Sequence, residues 1–245
     1  MTNKYELTQQ INNHCLVDWI RKMTREDLLS EFGYNFAVMK GFNQNNPHHC
    51  YDLLEHTLHT VSSIDATGLD IQSKLFIQTA ALFHDIGKPL VVKDKVGRSV
   101  YYGHAKKSKY ISMPILKQMG FTNREIKYIC FLIEHHDDFL NYKMPEELPN
   151  KYNPHIYPID TTHLSEYYSH LCETTLPIIG RYPTYQDVLL LLRLSSADAS
   201  AQANISFDSK GEVIDTRINK LKRYTKIETF FLNIVKHQYN LILQI

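Results

Sequence analysis

The chain has 245 residues, which corresponds to one or two domains of ordinary size. Hydrophobic residues make up 43% and charged residues 22%, a globular composition that excludes intrinsically disordered, collagen-like and low-complexity classes. The net charge of +1 disfavours broad electrostatic binding of nucleic acid, although it leaves room for a local basic patch.

The N-terminal residues, the apolar runs and the cysteines indicate the compartment and the redox state. The first residues hold no apolar stretch typical of a secretory signal, and no run approaches the 18 apolar residues of a membrane span. The four cysteines are too far apart to form a CxxC pair. We therefore expect reduced thiols in a cytoplasmic protein that makes no membrane contact.

Apolar residues at helical spacing predict helices along most of the chain. Thr24 with Asp27, and Thr122 with Glu125, have the spacing of capping boxes at two helix starts. Gly87 stands where a glycine would cap the end of an apolar helix. The expected helices are 14–23, 24–33, 51–64, 71–86, 104–119, 122–137, 161–176, 184–204 and 215–243.

Two segments depart from this pattern. LVVK and SVYY flank DKVGR, which predicts a β-hairpin at about 90–102. Residues 141–160 contain four prolines and form a predicted loop, long enough to serve as a functional lid. Because no repeat or Gly/Ser-rich linker divides the chain, we predict one all-α domain over 1–245 with a small hairpin insert.

Histidine is unusually frequent, with 13 residues. His84 and Asp85 end the apolar helix, where both are costly unless they pair with each other or bind a metal. Other candidates lie near the ends or on the apolar faces of separate helices, and converging helices can direct such side chains into one site. Imidazole and carboxylate ligands without thiolate suit Fe, Mn, Zn, Co or Ni. These other candidates are His56, His104, His135, His136 and Asp198.

The motifs YDLLEHTLHTV, AALFHDIGKP, GRSVYYGH and SSADASAQ occur in this order. With them, residues 50–204 resemble the HD superfamily of metal-dependent phosphohydrolases. The sequences of these motifs are most similar to those of the HD domain attached to bacterial tRNA nucleotidyltransferases and polyA-polymerase-like proteins. The resemblance implies an HD-domain helical bundle, on which the N- and C-terminal helices would pack. No GS motif with paired acidic residues precedes residue 50, so nucleotidyl transfer is not expected of this sequence.

The resemblance also implies ligands. It gives two divalent metals per chain, most readily Fe or Mn, with Mg, Co, Ni and Zn as alternatives. Asp85 would be the catalytic bridging carboxylate. Adjacent helical residues point about 100° apart, so His135 and His136 need not both bind one metal; we assign His136 to substrate binding and leave open whether it is also a ligand. No GYP follows the HH pair, which argues against cyclic-di-GMP hydrolysis. The implied metal ligands are His56, His84, Asp85, His104, His135 and Asp198.

Lys88 follows the His-Asp motif and is expected to contact a substrate phosphate as a catalytic and binding residue; the alternative is a solvated cation at a helix end. Arg98 is expected to be solvated, and Tyr101 and Tyr102 to pack on the hairpin. His59 is expected to be a packed or surface residue rather than a neighbour of the ligands. The remaining histidines that we assign to the surface are His48, His49, His155, His163, His170 and His237.

The leading function is hydrolysis of a phosphoester in a small nucleotide-like substrate by metal-activated water, as a phosphatase, nucleotidase or cyclic phosphodiesterase. One alternative is a nucleotide-sensing HD module without turnover. Another is an RNA-processing subunit, which the near-zero net charge disfavours without excluding nucleic acid. The sequence assigns neither the oligomeric state nor the substrate.

Overall fold

A computed structural model describes residues 1–46, 49–202, 205–207, 213–215 and 217–242. Over these residues the protein is a helical bundle with small two-stranded sheets, which confirms the predicted all-α class with a β-hairpin insert. One cluster of buried hydrophobic side chains extends from Leu7 in the first helix to Val235 in the last. No helix in the described ranges is both long enough and apolar enough to span a bilayer.

Four short helices form the N-terminal part. Thr24 and Asp27 make the predicted capping box. The first helix was not predicted, because it buries only Leu7 and Ile11 and is otherwise polar. The fourth was not predicted either, and it follows the third directly after Gly33. The four helices are α1 (Lys4–Asn12), α2 (Leu16–Arg21), α3 (Arg25–Phe32) and α4 (Tyr34–Met39).

The centre of the bundle holds the helices that surround the site. Helix α6 (Ile71–Phe83) is buried along almost its whole length, as its apolar sequence predicts. It packs against α5 (Leu53–Ser62), α9 (Asn123–His135) and α11 (Tyr185–Ala201). Helices α8 (His104–Gln118) and α9 form an antiparallel pair, and the predicted capping box of Thr122 and Glu125 begins the second of them.

The hairpin insert is shorter than predicted. Residues Lys88–Val91 form a helical turn, α7, and Pro89 lies in its first turn, where proline favours a helix start. The expectation that the hairpin begins at Leu90 is therefore wrong. The strands are β1 (Lys93–Lys95) and β2 (Arg98–Val100), which pair in antiparallel fashion. The predicted role of Gly87 as a helix cap is also wrong: it has a negative φ and allows close packing on α8, where an added Cβ would lie 2.6 Å from the Ser108 nitrogen.

The C-terminal part begins with the proline-rich segment. Short 3₁₀ helices at Asp138–Asn141 and Pro145–Glu147 and a parallel bridge between β3 (Tyr142–Lys143) and β4 (Tyr157–Pro158) give this predicted loop local structure. A further antiparallel pair was not predicted and lies between the last two helices. The remaining elements are α10 (Thr161–Ile179), β5 (Ile205–Phe207), β6 (Val213–Asp215) and α12 (Arg217–Ile242).

Candidate metal centre

Helix ends converge on one buried point of the bundle. His84 follows the last residue of α6, His104 is the first residue of α8, and His136 follows the last residue of α9. His56 comes from α5 and Asp198 from the last turn of α11. Capping positions are suited to this arrangement, because a short turn brings each side chain to the end of the helix rather than to its side.

The first group of side chains consists of His56, His84, Asp85 and Asp198, all of them buried. His56 Nε2 lies 2.9 Å from Asp198 Oδ1 and 3.3 Å from Asp85 Oδ2. His84 Nε2 lies 3.2 Å from Asp85 Oδ2 and 3.4 Å from Asp198 Oδ1. One nitrogen or oxygen from each residue therefore faces a common centre, within 4.8 Å of the others.

A second group shares one residue with the first. It consists of Asp85, His104 and His136. The other carboxylate oxygen, Asp85 Oδ1, lies 3.2 Å from His104 Nε2 and 3.8 Å from His136 Nε2. Asp85 thus directs one oxygen to each group, which is the placement of a bridging carboxylate.

Backbone contacts fix which nitrogen of three histidines faces the centre. The Nδ1 atoms of His84, His104 and His136 lie 2.7–2.9 Å from the carbonyl oxygen three residues earlier. A carbonyl can only accept, so each Nδ1 carries a proton, and in a neutral ring Nε2 then presents its lone pair to the centre. His104 Nε2 and His136 Nε2 are 3.3 Å apart, so in two neutral rings the lone pairs would face each other; a proton on one Nε2 or a metal ion bound by both relieves this.

Unsatisfied buried atoms test whether a metal fits this site. Among the described residues, His56 Nε2, His84 Nε2, Asp85 Oδ1 and Asp198 Oδ1 are buried and make no hydrogen bond of acceptable direction. Buried polar atoms without partners are costly, and native proteins seldom leave them so. A divalent cation in each group would satisfy them, and the imidazole and carboxylate donors suit it chemically. The residues present therefore fit divalent metal.

The charges of the centre also suit a cation. Burial acts to raise the pKa of Asp85, but His84 and Lys88 hold that pKa well below its ordinary value. Burial acts in the same way on Asp198, and its close contacts with His56 and His84 hold its pKa well below the ordinary value. Two carboxylates are therefore ionised.

Burial lowers the pKa of His136. Burial acts in the same way on His84 and His104, but Asp85 and Asp198 raise the pKa of His84 to about 10, and Asp85 raises that of His104. The two carboxylates therefore draw positive charge into the centre, and a metal ion would supply it.

Lys88 lies inside the site, and its exposed fraction is 6%. Its Nζ atom is 2.6 Å from Asp85 Oδ2, donates a hydrogen bond to Gln44 Oε1 at 3.0 Å and lies 5.4 Å from the ring centre of Tyr101. The alternative of a solvated cation at a helix end is therefore wrong, because α7 turns this residue back into the bundle. The nearby Tyr101 is buried, whereas Tyr102 is 71% exposed, so the expectation of hairpin packing holds for Tyr101 and is wrong for Tyr102.

The structure brings His136, and not His135, to the other candidate ligands. His136 joins the second group, whereas His135, expected as a ligand, lies outside both groups. His135 Nδ1 instead pairs with Asp138 Oδ2 at 2.7 Å, and its ring packs on Phe131. The reason is the step of about 100° between adjacent helical residues, which allows only one of the pair to face the centre. The expectation for His135 is thus corrected to His136.

His49 was assigned to the surface, and this is wrong. It is only half exposed, its ring centre lies 4.8 Å from that of His56, and its Nδ1 is buried. Burial and the nearby Lys88 lower the pKa of His49 to about 2. The only signal in the sequence is its position in the loop immediately before α5. Gln44 and Asp137 also reach the site without having been predicted, the latter at 3.7 Å from His104 Nε2.

The other histidines lie away from the centre. His59 stacks on Tyr51 at 4.3 Å, which agrees with a packed residue. His163 is half-buried and pairs with Asp160, so its assignment to the surface is only partly right. His48 lies outside the described residues. The exposed residues that agree with expectation are His155, His170 and His237.

A helical bundle whose helix ends supply two groups of histidine and aspartate around one shared carboxylate is a metal-binding architecture. Residues 53–168, just under half of the chain, match the family model of the HD domain. The predicted resemblance is confirmed. Asp198 lies beyond the matched residues, and the fold alone brings it to the other ligands.

One curated relative is a CC-adding tRNA nucleotidyltransferase from Thermus thermophilus. It is 32% identical to this chain over 146 residues, which are 59% of this chain and 32% of the relative. The chain thus spans about a third of the length of the curated relative that it matches.

Proposed function

We propose that this chain is a metal-dependent phosphohydrolase that cleaves a phosphoester in a nucleotide-like substrate. The observation that carries the proposal is the pair of ligand groups around Asp85. Sites with two metals are typical of enzymes that displace a group on phosphorus, because the metals can contact both the attacking and the leaving oxygen. The HD domain agrees with this reaction class.

Two divalent ions, Fe or Mn in our proposal, would be held by the two groups that share Asp85. When bound, such ions supply hydroxide from water near neutral pH and a positive charge for phosphate oxygens. The protein keeps the ligands ready for them: backbone carbonyls orient three imidazoles, and burial excludes competing water.

Lys88 is the residue that we propose for phosphate binding and catalysis. Its ammonium adjoins the bridging carboxylate, and Gln44 and Tyr101 hold it there. An ammonium in a buried site attracts a phosphate oxygen more strongly than it would in water. His49 adjoins the same site beside His56, and we propose that it also faces the substrate.

The test is hydrolysis by metal-depleted protein to which one divalent metal at a time is returned: Mn, Fe, Co, Ni or Mg. The substrates are p-nitrophenyl phosphate, bis(p-nitrophenyl) phosphate, 5′-mononucleotides and 2′,3′-cyclic AMP. We expect metal-dependent turnover of at least one, lost in His84→Ala and kept in His59→Ala, which removes a histidine outside the centre. Nucleotide binding without turnover under any metal would instead favour the sensing alternative.

A further inference from the structure

The near-neutral net charge conceals a strong local imbalance. Residues 88–117 carry eight lysines or arginines and one acidic residue, a net charge of +7 in a chain whose net charge is +1. This segment comprises α7, the β-hairpin and most of α8. His104, a member of the second ligand group, lies near the middle of the segment. Lys88 and Lys109 are paired with Asp85 and Glu134. The exposed cations of the hairpin and of the first turn of α8 lie on either side of His104 in the sequence.

One face of the hairpin collects the cations. Lys95 stands directly opposite Arg98 across the two strands, and Lys93 lies two residues before Lys95. Side chains with these relations project from the same face of a sheet. All three residues are exposed. Like charges directly opposite each other destabilise a strand pair, so this arrangement does not serve the hairpin itself.

An aromatic ring continues the same face towards the centre. Tyr102 is 71% exposed, and its ring centre lies 6.0 Å from Lys95 Nζ. Only one residue separates Tyr102 from His104, so their Cα atoms are at most about 7 Å apart. Lys106 and Lys107 follow in the first turn of α8 and are exposed. We call the surface of Lys93, Lys95, Arg98, Tyr102, Lys106 and Lys107 the basic face.

The basic face is built on a fixed support. The Ser99 nitrogen donates a hydrogen bond of 2.8 Å to the Asn45 carbonyl, which joins the hairpin to the loop before α5. The Tyr101 hydroxyl donates to the Gln44 carbonyl on the inner side. Gln44 in turn accepts from Lys88, so the same loop holds both the hairpin and a residue of the metal centre.

We propose that the basic face binds a single-stranded nucleic acid whose phosphoester enters the metal centre. Strands of this kind are bound by cations that follow the phosphates and by aromatic rings on which bases stack. The basic face offers both cations and an exposed aromatic ring, and Tyr102 is only two residues from His104 of the metal centre. This inference rests on the proposed function for the reacting phosphoester, but strand binding is measured separately from turnover.

The experiment measures anisotropy of 5′-fluorescein-labelled 12-nucleotide RNA and DNA, with intact strands verified on a gel. The Mn-loaded chain is compared with Lys95→Gln/Arg98→Gln and with a matched control, Arg124→Gln/Lys127→Gln. The control removes the same charge from exposed positions in the first turns of α9, about 16 Å along the helix from the centre. Circular dichroism melting and metal content verify that each variant is folded and loaded.

We expect the hairpin variant to bind about tenfold more weakly, and its log–log dependence of affinity on salt to be shallower by about 1.4, from about 0.7 per lost phosphate contact. Tyr102→Ala should bind about five- to a hundredfold more weakly and Tyr102→Phe almost as wild type, because stacking needs the ring and not the hydroxyl. The control should match wild type.

Two outcomes overturn the inference: neither strand binds the wild-type chain at 50 mM salt, or the hairpin and control variants weaken binding equally. Binding of either strand with the expected pattern supports it and identifies the sugar. Turnover of bis(p-nitrophenyl) phosphate by the same wild-type preparation tests the proposed function alone, so that the two failures are distinguishable.

Discussion

Neutralising Asp85 should release both metal ions, whereas changing His136 should release one. Asp85 is the one residue common to both groups, with Oδ2 facing the first and Oδ1 the second. His136 belongs to the second group only. Asp85→Asn keeps the shape of the side chain and removes its charge, so it tests the sharing directly.

The magnitude follows from the spacing of the ligand atoms, which lie within 4.8 Å of one another in each group. A divalent ion bound among them would lie no farther than this from Asp85, so an effective dielectric constant of about 20 gives an attraction of at least about 7 kcal/mol. If the amide oxygen of Asn and hydration of the ion replace half of this attraction, the binding free energy of each ion still falls by about 3 kcal/mol. Its affinity is then more than a hundredfold weaker.

The assay is elemental analysis after reconstitution with excess Mn²⁺, together with calorimetric titration. We expect two ions in wild type, one in His136→Gln and none retained through desalting in Asp85→Asn. His135→Gln is the matched control, with the same substitution one residue away, and should retain two. One ion in reconstituted wild type, or equal losses in His135→Gln and His136→Gln, would refute the two-group interpretation.

Further predictions concern the surroundings of the centre. Lys88→Ala should lower kcat/KM by about ten- to a hundredfold while metal is retained, because a charge-assisted contact contributes about 1.5–3 kcal/mol. Lys88→Arg should recover part of this loss. Wild-type rates in both variants would show that Lys88 does not contact the substrate. Gly87→Ala should lower the Tm by about 5 °C, because the new Cβ would meet the Ser108 nitrogen at 2.6 Å; an unchanged melting curve would show that α8 yields. Burial acts to raise the pKa of Asp187, but hydrogen bonds from an arginine and its neighbours hold that pKa below its ordinary 3.8. The stability advantage over Asp187→Asn should therefore be present at pH 7 and fade as the pH falls below about 4, as measured by urea unfolding; a constant difference would contradict it.

The sequence was most informative where a residue type and a helix boundary coincide. His84 and Asp85 end an unmistakably apolar helix, and the resemblance related them to His56 and Asp198. It gave His135 as a ligand where the structure places His136, because that choice depends on the angle at which α9 meets the centre. No periodicity reports such an angle.

Loops were the second limit. His49 and Gln44 lie in a segment without regular secondary structure, so nothing in their spacing indicated that they turn towards His56 and Lys88. Short helices were the third: α1 buries only two side chains, and its stability comes from tertiary packing rather than from a pattern visible along the chain.

The ligands of the first group are separated by 142 residues along the chain, from His56 to Asp198. Metal that binds the native state and not the unfolded chain would therefore act as a cross-link that closes a very long loop, and loop closure of this length carries a large entropy. The free energy of unfolding should rise with the logarithm of metal concentration, by about 2.7 kcal/mol at a hundredfold excess over Kd. Metal supply would then govern how long the chain survives proteolysis as well as how fast it turns over substrate.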